Sequence, residues 1–185
     1  SGTWVVTGAE TCGLGEAAAA GVRGAGGEVD VAFLKDTEPG ALTERVLSAR
    51  GFLLVAPVVL GGLPGAVKAW FDSWLAIEPA SRRTARTARL RAGYVATYAP
   101  DDPDLREFFH KQARTIFSSF GITFVGGALG HVPPGGRPDA ALVAAARRLG
   151  AALVEGASSA GLPEEYLAQM IRYISAHEVG HCLGL

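Results

Sequence analysis

Three groups of residues in this chain have side-chain types and spacings that can do chemistry. The first is His177-Glu-Val-Gly-His181. Residues four apart share one face of a helix, so both imidazoles can hold one metal ion such as zinc, with Glu178 as the base that activates a bound water. A catalytic zinc needs three protein ligands and an open position, and the other histidines, His110 and His131, fall far upstream. Weak zinc binding without peptide hydrolysis is therefore expected. The second group is Gly8-Ala-Glu-Thr-Cys-Gly-Leu14, between a β-patterned run and an Ala-rich helix. Backbone N–H groups and the helix dipole there can hold a phosphate, and Thr11 adds a hydroxyl, while Glu10 and Glu16 bring opposing charge. An ordinary βα turn explains the loop equally well. Cys12 beside the helix start is placed for a reactive thiol, or simply fills the turn. The third group is Pro57-Val-Val-Leu-Gly61, a Gly/Pro-rich loop in which glycine permits close approach of the backbone to a ligand.

These groups need elements to position them. Phe52 to Ala56 is a continuous apolar run, read as a strand buried on both faces. Pro57 ends it, Pro64 suits a first helical turn, and Val67, Trp70, Phe71 and Trp74 give the following helix an apolar face. Before this stretch come a strand at Thr3–Thr7, a helix at Leu14–Ala25 ended by Gly26-Gly27, a strand at Glu28–Leu34 and a helix at Pro39–Ala49. After it come a polar connection from Glu78 to Leu90, a strand at Arg91–Tyr98, a helix at Asp102–Phe120, a strand at Ile122–Gly130 and a helix at Asp139–Val154. Five strand–helix alternations argue a parallel sheet with helices on both faces. The expected order is 2-1-3-4-5, with the ligand crevice between the first and third strands.

Pro57 to Gly61, followed by Leu63-Pro-Gly-Ala-Val-Lys68 and Asp72, resembles the third strand and loop of flavodoxin-like NAD(P)H-dependent FMN reductases and quinone reductases. The resemblance covers Thr3 to about Glu155. It implies a flavodoxin-like three-layer α/β sandwich, FMN as cofactor, NAD(P)H as co-substrate, and a small acceptor such as a quinone or free flavin. The implied flavin site is Gly8, Ala9, Thr11, Cys12, Gly13 and Leu14 for the phosphate, with Pro57, Val58, Val59, Leu60, Gly61 and Tyr98 about the ring. The family's aromatic pair is here Val59 and Leu60, and the hydroxyls common in its first loop are here Ala9 and Leu14. No side chain need act as a catalytic nucleophile or base. A flavodoxin-like scaffold without flavin stays open as an alternative, as does a zinc-binding segment or truncated metalloprotease. The H-E-x-x-H stretch, with Gly180 and Leu183-Gly184, resembles the zinc helix of zincin metalloproteases.

Composition bounds the rest. The 185 residues suggest one domain at 1–156, a Gly/Ser/Ala linker at 157–162 and a helical segment at 163–185 whose Leu167, Met170, Ile171 and Ile174 share a face with the two histidines. A net charge of −1 argues against nucleic acid as a partner. No apolar run approaches the roughly 20 residues of a membrane span, and two cysteines make no disulfide framework, so a cytoplasmic protein is expected. A homo-oligomer is an open alternative. Arg82, Arg83, Arg86, Arg89 and Arg91 form a basic run, read as a solvated connection with an NADPH phosphate or an acidic partner as the alternative. Lys68 and Asp72 are read as an exposed ion pair.

Overall fold

The computed structural model of the chain describes residues 2–9, 11–77, 85–99 and 102–156. Their elements alternate: β1 (Thr3–Gly8), α1 (Leu14–Gly24), β2 (Glu28–Val31), α2 (Pro39–Ser48), β3 (Gly51–Pro57), α3 (Gly65–Ser73), β4 (Arg91–Tyr98), α4 (Pro103–Ser119), β5 (Thr123–His131) and α5 (Ala140–Glu155). The strands form one sheet in the order β2-β1-β3-β4-β5, and all four pairings are parallel. This is a flavodoxin-like α/β fold. The strand order reverses between β1 and β3, which opens a crevice at their carboxyl ends.

β3 shows why the sheet holds. Its residues alternate between two cores: Phe52, Leu54 and Ala56 enter one, Leu53 and Val55 the other. The first core is aromatic, with Phe52, Trp70, Phe71, Trp74 and Phe117 in mutual edge and tilted contacts. The Trp70 indole N–H donates to Thr43 Oγ1 at 2.9 Å, so that buried donor is satisfied. The second core is mostly aliphatic, with Trp4 and Phe33 as its buried aromatics, and joins α1 to α5. There the helices approach so closely that a Cβ on Gly21 would lie 1.9 Å from the Arg147 carbonyl oxygen, and one on Gly150 2.1 Å from that of Ala18.

Local signals behave as physical chemistry requires. α1 ends with Gly26 left-handed, Gly26 N–H donating to Arg23 and Gly27 N–H to Val22, the double bond that closes a glycine-terminated helix. β2 stops at Val31, earlier than the expected Leu34. It is an edge strand, and the chain beyond it keeps single bonds to β1 from Ala32 and Leu34. The expected glycine break in β5 is a register shift: Phe124 pairs with Ala92, but Gly126 pairs with Gly93.

The basic run is structural where it is described. Arg86 makes a two-pronged pair with Glu44 on α2 at 3.2 and 2.7 Å, Arg89 donates to the Leu47 carbonyl at the end of α2, and Arg91 reaches the Ala152 carbonyl at 3.5 Å. These arginines tie the connection to two helices. Arg82 and Arg83 lie outside the described residues, as does the whole of 157–185, including the expected C-terminal helix. Among the described residues no helix is long and apolar enough to cross a membrane.

Candidate functional site: the crevice between β1 and β3

β1 ends at Gly8, whose φ of 115° and tight contact with Val55 both demand glycine; a Cβ there would lie 2.4 Å from the Val55 carbonyl oxygen. Ala9 N–H donates to that same oxygen at 2.9 Å, which pins the start of the β1–α1 loop to β3. The loop then turns through Cys12 and Gly13, both left-handed. Leu14 N–H closes the turn on the Thr11 carbonyl at 2.9 Å.

The start of α1 is unusual within this chain. Acidic side chains cap α2, α4 and α5: Glu38, Asp102 and Asp139 each accept from a first-turn N–H. α1 has Gly13 in that place and no side-chain cap, and a Cβ at Gly13 would meet nothing within 4 Å. The first-turn N–H groups of Gly15 and Glu16 have no intrahelical acceptor, so the helix end presents unpaired donors. Thr11 is 7% exposed, and its hydroxyl has no hydrogen-bond partner among the described residues. Thr7, fully buried on β1, has an unpartnered hydroxyl as well. Glu16 is drawn toward Arg23 at 3.7 Å, and Glu10 is outside the described residues.

The β3–α3 loop forms the facing wall. Val59 and Gly62 exchange two backbone bonds of 2.9 Å, and the residues between them, Leu60 and Gly61, have φ of 50° and 81°. This is a two-residue turn in which both central residues are left-handed. Leucine is a poor residue for that conformation, and here it is fully exposed at the turn tip beside half-exposed Val59. Gln112 of α4 holds the loop by accepting from Leu63 N–H at 3.0 Å, and Gly61 packs under Leu105 and Phe108. Pro57 is the last paired residue of β3, opposite Thr97, and Val58 N–H donates to Thr97 at 2.6 Å.

The structure thus brings Gly8, Ala9, Thr11, Cys12 and Gly13 and the run Pro57 to Gly61 to adjacent strand ends, and it separates some expected contacts from them. The Leu14 side chain is fully buried in the α1–α5 core, so this position offers no side chain to a ligand. Tyr98 ends β4 but is 5% exposed, with the Arg106 guanidinium 5.7 Å over its ring and His131 5.7 Å away at 45°. A ring stacking on Tyr98 would compete with Arg106. Cys12 is exposed, with Sγ 4.0 Å from the Gly136 carbonyl of the β5–α5 loop. Lys68 and Asp72 form the expected exposed pair. Sequence reading missed Gln112 and Gly136. A polar residue on the stripe of Phe108, Phe109 and Ile116 was the signal for the first, and the Gly135-Gly136 pair for the second.

Among the described residues no group of three or more His, Cys, Asp or Glu could hold a metal ion. His177, Glu178 and His181 fall outside them.

Solved structures share this fold. They include the Trp repressor binding protein from Bacillus subtilis, 22% identical with a TM-score of 0.63 over 80% of this chain and 96% of that one. Flavodoxin from Megasphaera elsdenii is 18% identical, with a TM-score of 0.59 over 82% and 98%. An NADH:FMN oxidoreductase in its apo form is 16% identical, with a TM-score of 0.63 over 87% and 92%. At these identities the likeness is one of fold. A family model described as Met-zincin matches residues 159–185. No curated protein matches the chain.

Proposed function

We propose that the chain is a flavoprotein oxidoreductase that holds FMN in the β1–β3 crevice and moves reducing equivalents from NAD(P)H to a small acceptor such as a quinone or free flavin. The observation that carries this reading is Thr11, a buried hydroxyl without a partner beside a helix start that no side chain caps. A buried polar group left unpaired costs stability, and a phosphate oxygen would satisfy it. Solved flavodoxin and NADH:FMN oxidoreductase structures of the same fold support the choice of ligand.

When bound, FMN supplies the hydride and electron chemistry. The chain's own residues bind and orient. Gly13 leaves room at the helix end, and the N–H groups of Gly15 and Glu16, with the helix dipole behind them, and the Thr11 hydroxyl would hold the phosphate. Ala9 is held back on Val55, which keeps the loop open. Pro57, Val58, Val59, Leu60 and Gly61 would offer an aliphatic wall to the ring, with Val59 and Leu60 exposed at the turn tip and free to cover it. No residue serves as nucleophile or base in this reading.

Thr11→Val tests it, because valine keeps the shape and removes the hydroxyl. The variant is expected to unfold at higher denaturant, gaining about 1 kcal/mol without ligand, since the unpaired hydroxyl is gone. It is expected to bind FMN several-fold more weakly in equilibrium dialysis. Unchanged FMN affinity would remove Thr11 from the site.

A second reading belongs to the C-terminal segment. The Met-zincin match supports weak zinc binding by His177 and His181, with Glu178 beside them. Metal analysis after dialysis against a chelator tests it: zinc that survives at one per chain would call for a third ligand and a stronger site.

A further inference from the structure

Arg106 stands in the first turn of α4, half-buried, with its guanidinium carbon 5.7 Å above the Tyr98 ring at the end of β4. Tyr98 is 5% exposed, so the guanidinium rather than the phenol is the surface a ligand meets there. The same stretch of α4 reaches the opposite wall of the crevice. A Cβ on Gly61 would lie 3.0 Å from Leu105 Cδ2 and 3.5 Å from Phe108 Cδ1. The start of α4 therefore spans from the β3–α3 loop to the end of β4, the two places between which the flavin ring is expected. Arg106 makes no ion pair among the described residues. The acids nearest to it along α4 are Asp102, Asp104 and Glu107, and the Asp102 carboxylate is engaged as the helix cap, accepting from the Asp104 N–H at 2.9 Å.

We propose that Arg106, backed by Tyr98, lies against the flavin ring and favours its reduced form. This rests on the FMN reading above and adds to it the residue that tunes the bound cofactor. An arginine stacked on one aromatic ring keeps its second planar face open to another π system, and its charge is permanent. Val59 and Leu60 offer the ring only aliphatic contact, so this guanidinium face is the polarisable surface on the β4 side. Hydride transfer from NAD(P)H gives the ring two electrons and one proton, releases NAD(P)⁺, and leaves one negative charge on the ring until a second proton arrives. A fixed cation beside the ring attracts that charge and has no equal attraction for the neutral oxidised ring. Arg106 thus acts on the equilibrium between the two forms, and moves no proton itself.

Arg106→Gln and Arg106→Lys test this without any turnover assay. The potential of FMN bound to each full-length chain, measured anaerobically by absorbance against a reference dye and compared with that of free FMN, gives the ratio of reduced to oxidised affinity. Arg106→Gln is expected to lower that ratio at least ten-fold, which makes the potential of the two-electron couple about 30 mV more negative. Arg106→Lys keeps the charge without the planar fork, and its ratio is expected to stay within about three-fold of the unaltered chain. Unchanged near-ultraviolet circular dichroism of the Trp70–Trp74 cluster shows that the variants remain folded. Equal weakening of both forms in Arg106→Gln would make Arg106 a structural cover for Tyr98 and overturn the proposal. So would a ratio in Arg106→Lys as low as in Arg106→Gln, which would take the effect away from the charge. Failure of the unaltered chain to bind FMN would overturn the FMN reading and this proposal together, whereas bound FMN with a ratio indifferent to Arg106→Gln would overturn this proposal alone.

Discussion

His110 shows what a single side chain contributes to this fold. It sits on α4 with Nδ1 2.6 Å from the Tyr94 hydroxyl, ringed by Tyr94 and Phe124, and its buried Nε2 has no partner. Burial first, and then Arg114 on the same helix, hold its pKa below the ordinary histidine value. A histidine whose folded pKa is depressed takes up fewer protons folded than unfolded. Its neutral form therefore costs nothing above the unfolded pKa of about 6.5, and stability is lost as pH falls below that value. Urea unfolding at pH 7.5 and 5.5 should show the full chain losing stability at the lower pH, with His110→Gln flattening the difference. An equal loss in the variant would assign it to other groups. His110 could not be singled out in the sequence. A histidine on an amphipathic helix carries no mark of burial, and Gly127, which leaves space for the Tyr94 hydroxyl, is 17 positions further along the chain. Thr11, by contrast, was legible as a hydroxyl in a βα loop; that it would be buried and unpaired was not, because that depends on how the loop closes.

At the scale of elements, the α1–α5 contact is set by glycine. Placing alanine at Gly21 gains roughly 1 kcal/mol of helix propensity but drives a methyl to 1.9 Å from the Arg147 carbonyl, and backbone cannot swing aside as a side chain can. Overpacking of this kind costs about 1–3 kcal/mol, so the net effect is a loss. Gly24, three residues on in the same helix, meets nothing within 4 Å, and alanine there should gain a few tenths to about 1 kcal/mol. Thermal melts should therefore move in opposite directions, down for Gly21→Ala and up for Gly24→Ala. A rise in both would mean that the helices part easily. The elements themselves were readable from pattern. The apolar run of β3, the Pro-Gly start of α3, and the capped starts of α4 and α5 each carry a local cause. The role of the arginine run was not readable. Arg86 and Arg89 act on Glu44 and Leu47 some 42 positions away, a separation that local pattern does not encode.

The whole molecule places two left-handed loops at the ends of adjacent strands, β1 and β3, where the strand order reverses. The fold and this crevice follow from alternation and from β3. The details of the walls do not: Leu60 stands fully exposed on its turn, and Tyr98 is covered by Arg106. A site of this form should hold its ligand chiefly by the phosphate, through backbone donors and Thr11, with the aliphatic wall adding less than aromatic stacking would. Comparing FMN with riboflavin, which lacks the phosphate, tests that claim most directly. Titrating the chain into each flavin, followed by flavin fluorescence, should quench FMN with a midpoint at tens of micromolar or below, about −6 kcal/mol or stronger, and riboflavin at least ten-fold more weakly. No quenching of FMN in that range, or equal quenching of both flavins, would contradict a phosphate site at the start of α1.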